Sequence, residues 1–161
     1  MARTVALRAQ HAAAERLFDE IFDLIRAYRG DGDAYAMALK LARLTAILRT
    51  HFVMEDELLY PRIIASDHRE AAVMARVFQS ELGHLSDQFE RFVERWSSSM
   101  AIAASIEQFE YEAGMLFAAL RDRIRRENDE LYPLADQIEQ VRVSAPFPAA
   151  PPPPSWQSFA K

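Results

Sequence analysis

The feature that most constrains this chain is a rhythm. Apolar residues recur at alternating steps of three and four along four consecutive segments, and that spacing lines one face of an α-helix. The first segment carries Leu7, His11, Ala14, Phe18, Ile21, Ile25 and Tyr28; the second carries Met37, Leu41, Leu44, Leu48, His51, Glu55 and Leu58. The third reads Phe78, Leu82, Leu85, Phe89, Phe92 and Trp96, and the fourth Ile102, Ile106, Phe109, Ala113, Leu116, Leu120, Arg123, Glu127 and Leu134. Turn signals fall between these segments. Gly30, Asp31, Gly32 and Asp33 supply a helix stop, a tight turn and an N-cap, and Pro61, the only proline before Pro133, bends or ends the second helix. Ser66 or Asp67 caps the third helix, with Glu70 completing a capping box, and Ser97 to Ser99 precede the fourth.

With 161 residues, half of them hydrophobic, the chain supports one core and one domain. The expected fold is all-α: an antiparallel up-down four-helix bundle over residues 1–143, joined by short loops. Residues 144–161 contain most of the prolines and read as an extended, polyproline-type tail that Phe147, Trp156 and Phe159 could anchor.

Charge and composition remove several function classes. A net charge of −5 argues against nucleic-acid binding, which rests on clustered Lys and Arg. The basic run Arg121, Arg123, Arg125 and Arg126 is interleaved with Asp122, Glu127, Asp129 and Glu130, and reads as a solvated face with one inward member. Without cysteine there is no thiolate ligand or thiol nucleophile, so any metal must be held by nitrogen and oxygen. No run of about 20 apolar residues exists, and the N-terminus lacks an apolar signal-peptide core, so the expectation is a cytoplasmic protein with no membrane partner. No Gly-flanked serine or phosphate-cradling glycine loop suggests nucleophilic catalysis.

What remains is the set of ionisable residues inside the apolar stripes, together with Glu81, His84 and Gln88 on a line displaced by one residue from the third stripe, flanking the core. The segment LRTHFVMEDELLYP (48–61) matches LRDRIRRENDELYP (120–133) without gaps at an offset of 72, and His11 stands against His84 at an offset of 73. The repeating unit is therefore a helix pair with internal pseudo-symmetry. One pair offers His11, His51 and Glu55; the other offers His84, Arg123 and Glu127, with arginine where symmetry expects histidine. Residues four apart share a helix face, about 6 Å apart at Cβ, so one ion can take an imidazole and a carboxylate from the same helix. Burying carboxylates and histidines without partners is costly, and a metal ion meets that cost more simply than separate hydrogen-bonded contacts would. The five residues His11, His51, Glu55, His84 and Glu127 are expected to converge at mid-bundle. His68, near the start of the third helix, is assigned to the surface.

The unit His51, Glu55, Tyr60 and Pro61, with His11, His84 and Glu127, resembles the hemerythrin-like, HHE cation-binding family over roughly residues 1 to 140. The resemblance implies an antiparallel four-helix bundle with a carboxylate-bridged di-iron centre that binds oxygen, senses oxygen, nitric oxide or iron, or repairs iron centres. It would make His11 and His51 ligands of one iron, His84 a ligand of the other, and Glu55 and Glu127 bridges. Two positions depart from the pattern: Arg123 stands where the family has histidine, and Gln88 where hemerythrins proper have a further one. Both fall on the same iron. Guanidinium cannot coordinate a cation, so Arg123 leaves that half short of ligands and could instead replace the ion by pairing with Glu127 or Glu55. Glu81, one turn from His84, is the substitute donor.

Three readings follow. The first is a non-haem iron module, mononuclear or weakly dinuclear, that responds to a diatomic gas or to the metal itself; the same donors accept zinc or manganese. The second, a ferritin-like di-iron oxidase, needs Glu-x-x-His on two helices, and only Glu81 and His84 fit. The third is a metal-free interaction protein whose buried polar groups are tied up by Arg123. The sequence leaves open a homodimer, and whether the tail lies on its own bundle or a neighbour's.

Overall fold

The computed structural model describes residues 3–144, which are helical apart from short links, with no strand among them. In chain order the helices are α1 (Arg3–Arg26), α2 (Asp31–Met54), α3 (Tyr60–Ile64), α4 (Arg69–Trp96), α5 (Ser99–Ala104), α6 (Ile106–Arg126) and α7 (Tyr132–Ser144). Single π-helical turns, Glu55–Leu59 and Glu127–Leu131, join α2 to α3 and α6 to α7. Nearly all of the proposed tail lies outside the described residues, as do Phe147, Trp156 and Phe159.

The links between helices have local causes. Gly30 sits at φ 150°, ψ −159°, a conformation that a side chain disfavours, and it starts α2. Asp33 accepts the Arg29 N–H at 2.8 Å, which closes this turn. The cap of α4 differs from expectation: His68 holds the N-cap position and its Nδ1 accepts the Ala71 N–H, while Ser66 turns back onto the Ile63 carbonyl. Ser98 caps α5, whose side chain accepts from Ala101 N–H. Ser105, at φ −151° and ψ 55°, then breaks the fourth segment into α5 and α6.

α1 packs on α2 and α6, α2 on α4 and α5, and α4 on α3 and α6. One half of the shared core is aromatic: Phe18 stacks on Phe117 at 4.5 Å between centroids, and Phe92, Trp96 and Phe109 extend the cluster. The other half carries the polar residues, bounded by the two buried tyrosines at the starts of α3 and α7. The expected stripes are buried or, at Tyr28, Leu85, Ile106 and Leu134, partly buried, with one informative exception. Leu58 is 42% exposed, and Leu59 and Tyr60 point inward in its place. A π turn inserts one residue, so everything after it is rotated by about 100° relative to a continuous α-helix.

Both π turns precede a Tyr-Pro pair, and proline supplies their physical cause. Its ring crowds the carbonyl four residues back and it has no N–H to donate. Widening the preceding turn relieves both demands. The defining bonds run from Tyr60 N–H to the Glu55 carbonyl and from Tyr132 N–H to the Glu127 carbonyl. In a regular helix residues five apart point about 140° apart; the π turn instead brings Tyr60 onto the face of Glu55.

Candidate metal centre

His11 is placed by α1, His51 by the last turn of α2, and Glu55 and Glu127 by the first positions of the two π turns, all essentially fully buried. His11 Nε2 lies 3.1 Å from His51 Nε2 and 3.1 Å from Glu127 Oε2. His51 Nε2 lies 3.4 Å from Glu55 Oε2 and 3.9 Å from Glu127 Oε2. Donors about 2.1 Å from a common ion stand roughly 3.0–3.4 Å from one another along the edges of its coordination polyhedron. Most of these separations are of that size. The ligating atoms of His11, His51 and Glu127 all lie within 4.8 Å of one another.

The outer ring nitrogens explain why these atoms face inward. His11 Nδ1 lies 3.1 Å from Asn128 Oδ1, and His51 Nδ1 lies 3.1 Å from Gln10 Oε1. Arg8 donates to the same Asn128 oxygen at 3.4 Å and to the Asn128 carbonyl at 3.0 Å, which orients the amide. With Nδ1–H donated on both rings, both Nε2 atoms present lone pairs, and they face each other and a carboxylate oxygen. A proton or a metal ion between them satisfies this arrangement, to which Tyr132 Oη adds a contact with His11 Nε2 at 3.3 Å.

The metal-free electrostatics agree with a proton in that place. Burial opposes protonation of His51, but hydrogen bonds to Glu127 and Glu55 outweigh it and raise its pKa from 6.5 to about 9. Burial opposes ionisation of Glu127 as well; the contacts with His11 and His51, then the charge of Arg123, hold its pKa down at about 2. Tyr132 donates to Glu55 Oε1 at 2.7 Å and Tyr60 to Glu55 Oε2 at 3.2 Å. Burial, followed by the nearby charge of Glu55 and Glu127, pushes both phenols far above their ordinary range, so they remain donors.

Arg123 closes the other side of the cluster. It is buried, its Nε donates to Glu127 Oε1, and its terminal nitrogens reach Tyr60 Oη at 2.5 Å and Glu81 Oε2 at 3.3 Å. Its guanidinium carbon lies 4.5 Å from the Phe78 ring centroid, and Arg126, also bound to Glu81, lies 4.8 Å from the same ring. Burial lowers the pKa of Arg123, but Glu127, Tyr60 and Glu55 together more than offset this, and the group stays charged. Among the described residues, no buried side-chain nitrogen or oxygen lacks a partner.

Not every expected residue joins the cluster. His84, Gln88 and Glu81 are exposed on α4, and only Glu81 reaches inward, through Arg123. The expectation that His84 converges with the others is corrected, for a reason of register. The buried stripe of α4 (Phe78, Leu82, Leu85, Phe89, Phe92, Trp96) follows that of α1 (Leu7, His11, Ala14, Phe18, Ile21, Ile25) at a constant offset of 71, from 7 to 78 through 25 to 96. Leu82, not His84, therefore holds the position in α4 that His11 holds in α1. α4 has no π turn to rotate its outer face inward. The sequence reading also missed Gln10, Asn128 and the roles of the two tyrosines. The repeated Tyr-Pro was the available signal for the tyrosines; nothing marked Gln10 or Asn128.

Together these features define a helical bundle with a buried, oxygen- and nitrogen-lined cation cluster. The model of the hemerythrin HHE cation binding domain matches residues 3–135. The chain belongs to the hemerythrin HHE cation-binding domain family. Comparison with curated proteins and with solved structures gave no match.

The donors brought together in the cluster fit one ion. His11, His51 and Glu127, with Glu55 beside them, form a two-imidazole, carboxylate donor set suited to a divalent first-row ion. The position beyond Glu127 is filled by a guanidinium and has no imidazole.

Proposed function

We propose that this chain is a cation-binding module that holds a single non-haem iron ion at His11, His51 and Glu127, with Glu55 as a further donor. Zinc and manganese suit the same set. The observation that carries this reading is the pair of Nε2 atoms 3.1 Å apart, facing Glu127 while both Nδ1 atoms are engaged by amide oxygens. When bound, ferrous iron in such a set supplies open positions for a small ligand, and sensing or binding of oxygen or nitric oxide, or response to iron itself, is the function this supports. The chain's own residues supply the rest: Gln10 and Asn128 orient the imidazoles, Tyr60 and Tyr132 hold Glu55, and the flanking core excludes water. His84, Glu81 and Gln88 have no ligand role in this reading. An up-down bundle of two matched helix pairs belongs to it as well, supported by π turns at Glu55 and Glu127, each followed by Tyr-Pro.

The competing reading is a metal-free interaction protein, favoured by the complete pairing of buried polar atoms. Elemental analysis of the protein purified without added metal, beside the His51→Ala variant, separates them. About one iron per chain, lost in the variant, supports the first reading; no metal in either protein, after reconstitution with ferrous iron under argon, overturns it.

A further inference from the structure

We propose that Arg123 is a built-in second cation, which limits the cluster to one ion and makes it select a divalent over a trivalent ion. This rests on the single-ion reading above and concerns what sets the charge of that ion.

The argument begins with Glu127, whose two oxygens face different ways. Oε2 faces the imidazoles of His11 and His51, and Oε1 accepts from Arg123 Nε. The carboxylate thus bridges an ion position to a guanidinium, as a carboxylate bridges two metal ions. A second link runs from Arg123 through the Tyr60 hydroxyl to Glu55 Oε2, which faces His51. The guanidinium is held on three sides by Glu127, Tyr60 and Glu81 and stacks on Phe78, so it cannot leave without exposing buried acceptors. Leu82 and Arg123 replace the imidazoles that a second ion would need, and arginine keeps its proton at every working pH.

A permanent charge one carboxylate away has a definite consequence. An ion of charge three feels one more unit of repulsion from Arg123 than an ion of charge two. For charges several ångströms apart at a partly screened buried site, that difference exceeds a factor of ten in relative affinity. Glu81 works in the opposite sense: its carboxylate partly offsets both Arg123 and Arg126, and being exposed it acts more weakly.

The test uses manganese(II) and gallium(III), neither of which changes oxidation state, so that charge is the variable. The full-length protein is equilibrated with manganese chloride and gallium citrate in competition, and bound metal per chain is counted. Wild type is expected to hold one ion, mostly manganese. Arg123→Gln is expected to shift the bound ratio toward gallium at least tenfold, and Arg123→Lys, which keeps the charge, to stay near wild type. Glu81→Gln, on the surface and safe for folding, is expected to shift the ratio about threefold toward manganese, and it decides the matter if Arg123→Gln does not fold. Two ions per wild-type chain, or a ratio unmoved by Glu81→Gln and by a folded Arg123→Gln, overturns the proposal while leaving the metal site standing. Failure of either ion to bind, with His51→Ala indistinguishable from wild type, removes the metal reading and this inference with it.

Discussion

His11 and His51 face a common point because each ring is held from behind by a residue next in sequence to another member of the cluster. Gln10, beside His11, holds His51; Asn128, beside Glu127, holds His11. Losing such an outer partner typically lowers metal affinity 10- to 100-fold. Asn128→Leu and Gln10→Leu should each do so in competition with a chromogenic chelator, with Asn128→Asp close to wild type. Equal affinity in all four proteins would show that the rings orient themselves. At Arg123 the expectation concerns stability. Its guanidinium is buried against Glu127 instead of reaching to solvent beside Arg125. Removing one partner of a buried pair leaves the other charge uncompensated, so Arg123→Ala should cost the metal-free protein on the order of 3 kcal/mol in chemical denaturation. A loss under about 0.5 kcal/mol, as at an ordinary surface site, would contradict the buried contact.

At the scale of elements, the two π turns decide which side chains see the centre. A continuous helix through Glu55 would bury Leu58; the inserted residue buries Leu59 and Tyr60 instead. Leu59→Ala should therefore cost about 2–5 kcal/mol, the range for truncating a buried leucine, while Leu58→Ala should stay within about 0.5 kcal/mol. Equal costs, or the reverse order, would mean that the turn is regular α-helix. This same turn marks the limit of what the sequence disclosed. The three-four rhythm reached the buried stripes of α1, α2, α4 and α6 and put His11, His51, Glu55, Arg123 and Glu127 inside, because a regular helix converts spacing directly into direction. It failed at Leu58 because a π turn breaks that conversion. It failed at His84 because an offset of 73, chosen to match histidine with histidine, is two residues away from the offset of 71 set by apolar packing. Two residues on an α-helix are about 200° of rotation, the difference between core and solvent.

For the whole molecule, the buried cluster ties folding, protons and metal together. In the metal-free protein the His51 pKa is raised from 6.5 to about 9, so its contribution to stability is fully present below pH 6.5 and is lost as pH rises through 9. The Glu127 pKa is lowered from 4.5 to about 2, so its contribution is present above pH 4.5 and is lost as pH falls toward 2. These two groups place the stability maximum of the metal-free bundle between about pH 4.5 and 6.5. A bound ion reverses the first dependence, because an imidazole ligates only when neutral and its proton must leave. Between pH 6.5 and 8 each binding event should release one proton from His51, and affinity should rise about tenfold per pH unit. Isothermal titration of the protein with manganese(II) in buffers of different ionisation enthalpy measures that proton directly. Release of one proton per ion at pH 7 is expected, and release of none would show that the ion binds without displacing the His51 proton, at some group other than this imidazole.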